Sequence, residues 1–231
     1  GSAPRVLFQP DEHGTAAGVL LPAHVVHQQD ADATLAVFPS DHFILGERAF
    51  MAHVVEVAAL VERHPEVMVV LGVEPTAAEP EYGWIEPGAV FGTTTTGPVW
   101  RVRRFREKPS RKAAGACLAR GWLWNTFVLV GKARTLIEAG RRTIGTLHDR
   151  LSHLVRFLGT RDEAWAFRQA YSLAPKASFS RVVLEAFPSM LAVSKAPVAL
   201  WSDWGTSSRV IASLRQAGVS PSWLPSVQAI G

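Results

Sequence analysis

The chain has 231 residues, of which 48% are hydrophobic, 9% aromatic and 19% charged. This composition excludes a disordered, collagen-like or coiled-coil protein and allows one domain with a sizeable core. Twenty-four basic against 20 acidic residues leave a net charge of +4, an excess too small to imply a nucleic-acid partner.

A single cysteine, Cys117, excludes an internal disulfide and a multi-cysteine metal site, and it fits a reducing compartment. No apolar run reaches the roughly 18 residues that span a bilayer, and no basic segment followed by an apolar one opens the chain. We therefore expect a soluble cytoplasmic protein with no membrane partner. Gly1 and Ser2 are typical of the remnant of a removed tag.

Short apolar runs alternate with amphipathic stretches along the chain. The apolar runs predict strands over 6–8, 34–38, 67–71, 99–106, 122–130, 190–193 and 198–201. The amphipathic stretches predict helices over 15–27, 47–64, 111–119, 132–142, 143–157, 162–171, 180–187 and 207–217. Segment 73–97, rich in Pro, Gly and Thr, is predicted to be mostly loop, with a short strand at 82–85 as the one candidate element. The alternation predicts an α/β fold with a mainly parallel sheet and helices on both faces.

Two predicted strands are each followed by an aspartate. Asp41 comes after the strand over 34–38, and Asp203 comes after the strand over 198–201. Ligands of an open parallel sheet lie outside the carboxyl ends of its strands, and Mg²⁺ takes one or two carboxylates with water and substrate phosphates. The pair could therefore hold the cation that nucleotidyl transfer needs. The alternative is that each aspartate is the N-cap of the following helix.

The segment 100–112 is strongly basic, with Glu107 as its one acidic residue. An RNA-binding stripe is one interpretation, but an exposed strand edge beside an anion site fits better, because the rest of the chain supplies no basic surplus. Glu107 and Lys108 at its end suit a sugar phosphate. The carboxylate accepts hydrogen bonds from hydroxyls, and the ammonium group contacts the phosphate.

Polar residues also interrupt the strand predicted over 122–130. Asn125 and Thr126 need hydrogen-bond partners when buried, which fits a structural network as well as ligand contacts. Tyr82 and Gly83 could supply a stacking ring and a close backbone approach to a ligand, or they could form a turn.

Taken in order, six fragments resemble the mannose-1-phosphate guanylyltransferases, within the larger group of sugar nucleotidyltransferases. They cover most of the chain and comprise Gly14-Thr15-Ala16-Ala17, Phe38 to His42, Gly72 to Thr76 with Tyr82 to Ile85, Phe105 to Pro109, Trp124-Asn125-Thr126, and Trp201 to Gly205. Each fragment is weak alone, whereas six in the family's order are specific. The resemblance implies a Rossmann-like nucleotidyltransferase domain in which mannose-1-phosphate attacks the α-phosphorus of GTP and pyrophosphate leaves.

The resemblance also implies a set of site residues. They are Asp41 and Asp203 as Mg²⁺ ligands and catalytic groups, Lys108 as a catalytic contact of the sugar phosphate, Glu107 and Asn125 as partners of the mannose hydroxyls, and Tyr82, Gly83, Thr15 and Thr126 as further substrate-binding residues. Mg²⁺ is the expected cofactor, GTP and mannose-1-phosphate are the expected small-molecule partners, and a homodimer is left open.

Several positions depart from the family pattern. The Gly-rich signature loop and the first strand are absent upstream of Val6, Gly14 and Ala17 replace Asn and Pro, and Phe127 replaces a glycine. We therefore expect a single domain over 1–231, truncated at its N-terminus and without a C-terminal β-helix. The alternatives are an inactive fragment, a non-catalytic sugar-nucleotide-binding regulatory homologue, and a transferase for another nucleotide or hexose.

Overall fold

A computed structural model describes residues 5–223 of the chain. Its strands are β1 (Thr34–Val37), β2 (Phe43–Leu45), β3 (Met68–Val73), β4 (Gly83–Thr94), β5 (Gly97–Glu107), β6 (Leu123–Lys132), β7 (Leu191–Lys195) and β8 (Leu200–Ser202). Its α-helices are α1 (Gly14–Gln29), α2 (Glu47–Arg63), α3 (Arg111–Ala119), α4 (Ala133–Thr143), α5 (Gly145–Leu154), α6 (Glu163–Ser172) and α7 (Ser207–Gln216). A π-helical turn, Ser180–Leu184, lies where the short helix over 180–187 was predicted.

The main sheet has six strands in the spatial order β1-β6-β3-β7-β5-β4, and β2 and β8 form a separate two-stranded sheet. The α/β class is confirmed, and β1, β3, β4 and β7 run in one direction. β5 and β6 run against them, so the sheet is mixed and β3–β7 is its one parallel neighbouring pair among the described residues. The expectation of a mainly parallel sheet needs this correction because an apolar run reveals burial on both faces and not strand direction.

The prediction that 73–97 is mostly loop is wrong over the 12 residues of β4. β4 and β5 form a long antiparallel hairpin whose register shifts on both sides of Pro87. Such bulges allow proline and glycine inside a strand, which is why the composition suggested a loop. The strand predicted over 6–8 is also wrong, since Val6 and Phe8 are exposed and outside the sheet.

Helices cover both faces of the sheet, as predicted. On one face α2 buries Phe50, Val54, Val57 and Val61, which follow one side of the helix at the spacing expected for an amphipathic surface helix. On the other face α1, α4, α5 and α6 enclose a second cluster around Leu20. Burying each such side chain contributes about 1.5–3 kcal/mol, so the two cores hold the sheet rigidly under the site. Among residues 5–223, no helix combines the length and the apolar character needed to cross a bilayer.

Candidate active site

The two aspartates predicted to bind metal lie at neighbouring strand ends. β2 and β8 pair antiparallel with Phe43 opposite Ser202, so the residues just outside this pair bring Asp41 and Asp203 to the same end of the small sheet. The ring of Phe43 stacks on that of Trp204 at 5.2 Å, which fixes the two chain segments together.

Neither aspartate caps a helix. Gly46 is the N-cap residue of α2, and Thr206 is that of α7, where its hydroxyl accepts a hydrogen bond from the backbone N–H of Arg209. The N-cap alternative is therefore wrong for Asp41 and Asp203, and their carboxylates are available for other contacts.

His42 lies near both carboxylates. Its Nδ1 accepts a hydrogen bond of 3.3 Å from the indole N–H of Trp201, and the two rings meet edge to face. Burial lowers the pKa of His42, and the nearby charges of Asp41 and Asp203 oppose that effect only in part. A neutral imidazole therefore supports the Trp201 side of the site.

Asp203 is the best-connected carboxylate of the site. Its Oδ1 accepts a hydrogen bond of 2.6 Å from the hydroxyl of Tyr82, and Arg209 donates to Oδ1 and Oδ2 at 3.1 and 2.9 Å. Burial and the bond to Asp203 raise the pKa of Tyr82 far above its usual range, so the phenol stays a hydrogen-bond donor. The ring of Tyr82 packs against Trp124 and Trp201 at about 5 Å. Tyr82 thus links Asp203 to the main sheet.

The predicted sugar partners meet where β4, β5 and β6 converge. Gly83 lies opposite Glu107 in the β4–β5 ladder, and a β-carbon on Gly83 would lie 2.9 Å from Glu107 Oε2 and 3.1 Å from the Asn125 β-carbon. Burial raises the pKa of Glu107, and the neighbouring Lys108 opposes the shift. The structure therefore brings Gly83, Glu107 and Asn125 together, one residue along the chain from Tyr82.

A pocket of about 450 Å³ opens beside Glu107 and Lys108. Its other walls are Gly14, Thr15, Phe127, Ser178, Ser180 and Arg181. Thr15 is positioned by its hydroxyl, which accepts a hydrogen bond of 2.8 Å from the Phe179 backbone N–H. A side chain on Gly14 would collide with the Ala177 carbonyl oxygen, only 2.5 Å away, so close backbone packing requires glycine there.

Phe127 has a left-handed backbone, with φ at +60°. This conformation costs a residue with a side chain roughly 1–2 kcal/mol, whereas glycine adopts it freely. The Asn125 side-chain oxygen accepts a hydrogen bond of 3.1 Å from the Phe127 N–H, and the Phe127 ring meets Phe179 edge to face. A bulky ring thus stands in the pocket wall at a position whose backbone suits glycine.

Thr126 has a structural contact that the sequence could not reveal. Its buried hydroxyl donates to the Leu71 carbonyl at 2.7 Å and accepts from the Val128 N–H at 3.2 Å. These bonds satisfy backbone groups at the register shift between β3 and β6, where regular pairing is interrupted. The hydroxyl is therefore engaged by backbone, and Thr126 is not among the pocket residues.

The basic segment is not a strand edge, because β5 pairs with β4 on one side and with β7 on the other. Three of its arginines have local partners. Arg103 and Arg104 lie 3.5 and 3.6 Å from Glu86, and the Arg101 guanidinium lies 3.9 Å above the Phe91 ring. This pattern does not favour an RNA-binding stripe.

Comparison with known proteins settles the family. The model of the nucleotidyl transferase family matches residues 2–217. The chain belongs to the nucleotidyl transferase family. Among curated relatives, this nucleotidyl transferase is 31% identical over 217 residues to the xanthan biosynthesis protein XanB of Xanthomonas campestris pv. campestris (strain B100), covering 92% of this chain and 44% of that protein. It is 28% identical to a mannose-1-phosphate guanylyltransferase of Sinorhizobium fredii (strain NBRC 101917 / NGR234), covering 87% of this chain and 38% of that one. The nucleotidyl transferase chain thus spans less than half the length of these relatives.

Solved structures agree on the fold. This nucleotidyl transferase superposes with a TM-score of 0.77 and 28% identity on a structure described as mannose-1-phosphate geranyltransferase from Thermus thermophilus, covering 94% of this chain and 59% of that one. A UDP-glucose pyrophosphorylase complexed with UDP-glucose shares the fold with a TM-score of 0.55 at 12% identity, covering 92% of this chain and 64% of that one.

The donor set of this nucleotidyl transferase fits a hard divalent cation. Within the described residues, no cluster of three or more His, Cys, Asp or Glu side chains is arranged as a metal cage. Mg²⁺ needs no such cage, because one or two carboxylates suffice when substrate phosphates and water complete its shell. Asp41 and Asp203 supply oxygen donors of that kind at one strand end.

Two basic residues near the site were missed in the sequence. Arg209 follows Asp203 by six residues and reaches it from the first turn of α7. Arg181 reaches the pocket beside Glu107 from a π-helical turn. Neither belongs to a recognisable fragment, so only the folded arrangement identifies them.

Proposed function

We propose that this chain is the nucleotidyl-transferring part of a mannose-1-phosphate guanylyltransferase, which converts GTP and mannose-1-phosphate into GDP-mannose and pyrophosphate. The observation that carries the proposal is the link through Tyr82 and Gly83, which joins the carboxylate Asp203 to Glu107 and Asn125, the pair that we propose to bind the sugar. Several relatives that are named mannose-1-phosphate guanylyltransferase support the same substrates.

In this proposal, the sugar end of the substrate lies beside Gly83. Glu107 accepts hydrogen bonds from the mannose hydroxyls and Asn125 donates to them, and Gly83 lets the β4 backbone pack close to both side chains. Lys108 contacts the sugar phosphate from the pocket wall, with Arg181 as a second cation. These contacts orient the phosphate oxygen toward the α-phosphorus of the nucleotide.

The nucleotide end lies toward Asp41 and Asp203. These carboxylates would hold a divalent cation, Mg²⁺ in this proposal, which supplies charge neutralisation at the phosphates. Because the attacking group is already a phosphate oxygen, no covalent enzyme intermediate is needed. Positioning and electrostatic stabilisation therefore account for most of the expected acceleration.

The test is pyrophosphate release from GTP and mannose-1-phosphate in the presence of Mg²⁺, compared with UTP plus glucose-1-phosphate. We expect release to prefer GTP and mannose-1-phosphate and to be lost in Asp203→Asn. Equal rates with both substrate pairs would contradict the specificity. Release that survives in Asp203→Asn would contradict the assigned role of this carboxylate.

A second candidate is a sugar-nucleotide-binding protein without turnover. Phe127 favours it, because its ring occupies part of the wall around the proposed sugar site. Binding of GDP-mannose measured by calorimetry, with no pyrophosphate release under any condition above, would select this candidate.

A further inference from the structure

The guanidinium group of Arg209 is bound to Asp203, the carboxylate that the proposed function assigns as a metal ligand. Arg209 directs one terminal nitrogen at both oxygens of Asp203, at 3.1 and 2.9 Å, and its other terminal nitrogen lies 3.4 Å from Glu79. The guanidinium carbon also lies 4.7 Å from the centre of the Tyr82 ring. About three quarters of each of the Arg209 and Asp203 side chains is buried, so the pair is less screened than a surface salt bridge.

The position of Arg209 is electrostatically unfavourable apart from these contacts. Arg209 lies in the first turn of α7, which has no acidic residue there. The N-terminal end of a helix carries partial positive charge and favours anions over cations. Asp203 and Glu79 therefore hold the arginine where the helix alone would repel it.

Three hydrogen bonds already use most of the acceptor capacity of Asp203. Its Oδ1 already accepts from Tyr82 and Arg209, and its Oδ2 accepts from Arg209. A metal ion would have to displace the guanidinium because two cations would otherwise share one carboxylate.

We propose that Arg209 is the resident counter-ion of Asp203, and that a divalent cation binds by exchanging with it. The proposal rests on the proposed function only in taking Asp203 as a metal ligand. After exchange, Glu79 still retains the other end of the guanidinium near the site. The released nitrogen then faces substrate phosphate oxygens, which match the planar guanidinium well.

The experiment is a titration of the chain with Mn²⁺, followed by the electron paramagnetic resonance signal of free Mn²⁺, without substrate. We expect Arg209→Gln to bind Mn²⁺ about five- to tenfold more tightly than the unaltered chain, which is the size expected for a partly buried ion pair. Arg215→Gln removes the same charge from an exposed position at the other end of α7 and is the matched control. It should leave the affinity unchanged.

Thermal unfolding gives a second measurement. Saturating Mn²⁺ should raise the Tm of Arg209→Gln more than that of the unaltered chain, because the variant leaves the Asp203 charge without its guanidinium partner. Adding Asp203→Asn to Arg209→Gln should remove both the gain in Mn²⁺ affinity and the larger rise in Tm.

Equal or weaker Mn²⁺ affinity in Arg209→Gln, with Asp203→Asn still weakening binding, would overturn the exchange while leaving the proposed metal site standing. If Mn²⁺ affinity does not depend on Asp203, or if no variant binds Mn²⁺, both the exchange and the proposed metal site would be overturned. If Arg215→Gln gains as much Mn²⁺ affinity as Arg209→Gln, the gain is a general effect of charge, and the exchange would also be overturned.

Discussion

Gly83 lies directly across the β4–β5 ladder from Glu107, so closely that any β-carbon at position 83 would press on the Glu107 carboxylate at 2.9 Å. The two residues are 24 positions apart in the chain, and the hairpin brings them together at the convergence of three strands. The Gly83 backbone therefore packs closely against a carboxylate whose pKa is raised by burial.

Gly83→Ala should disrupt the proposed sugar site. The added methyl group would contact Glu107, Asn125 and Phe105 at 2.9–3.1 Å, so the free energy of unfolding should fall by about 1–3 kcal/mol and GDP-mannose binding should weaken. Urea denaturation and calorimetric titration measure the two effects. Gly115→Ala, on α3 with nothing within 4 Å, is the control and should stabilise by up to about 1 kcal/mol. Unchanged binding in Gly83→Ala would argue against a sugar beside this glycine.

Phe127 should show the cost of its left-handed backbone. Both Phe127→Ala and Phe127→Gly lose the ring contact with Phe179, but only glycine adopts a φ of +60° without strain. We therefore expect Phe127→Gly to be more stable than Phe127→Ala by roughly 1 kcal/mol in urea denaturation, after allowing for the greater entropy of unfolded glycine. An alanine variant as stable as the glycine variant would show that the backbone is not strained there.

Lys108→Gln should weaken mannose-1-phosphate binding by about tenfold or more, because a charged hydrogen bond to phosphate would be lost. Stability should change little, since Lys108 is exposed and its contact with Glu81 is 3.5 Å long. Calorimetric titration with mannose-1-phosphate measures the loss. Lys112→Gln removes an exposed charge from the neighbouring helix and should leave the affinity unaltered. Equal losses in both variants would reduce the role of Lys108 to general electrostatic attraction.

His24 should make the protein sensitive to acid. Burial, with the nearby His148 and His27, lowers the pKa of His24 from 6.5 to about 4. The unfolded chain therefore binds more protons than the folded one in this window, so stability falls as pH drops from about 6.5 to 4, by roughly 3 kcal/mol in all. Denaturation at several pH values measures this slope.

His24→Leu should flatten the slope because the leucine has no proton to bind. His153→Asn changes an exposed histidine of α5 and is the control variant. A slope that persists in His24→Leu would assign the acid sensitivity to other groups.

Much of the fold could be predicted from the sequence because most helices have a distinct apolar side. The periodic residues of α2, for example, predicted its bounds within one residue. The β4–β5 hairpin could not be predicted, since its proline and glycine content is typical of a loop. Its bulges form only when the two strands pair. For Thr126 the sequence left both a structural network and a ligand contact open, and the structure shows its hydroxyl bonded to the Leu71 carbonyl of the neighbouring strand.

The sequence by itself determined the class of fold, the family resemblance and the position of Asp41, Asp203, Glu107 and Lys108 at predicted strand ends. These features depend on local periodicity and on short runs of neighbouring residues. Only the tertiary structure decided strand direction, the link from Tyr82 to Asp203, and the pairing of Asp203 with Arg209. Those relationships depend on hydrogen-bond partners and on burial, which distant segments supply only after the chain has folded.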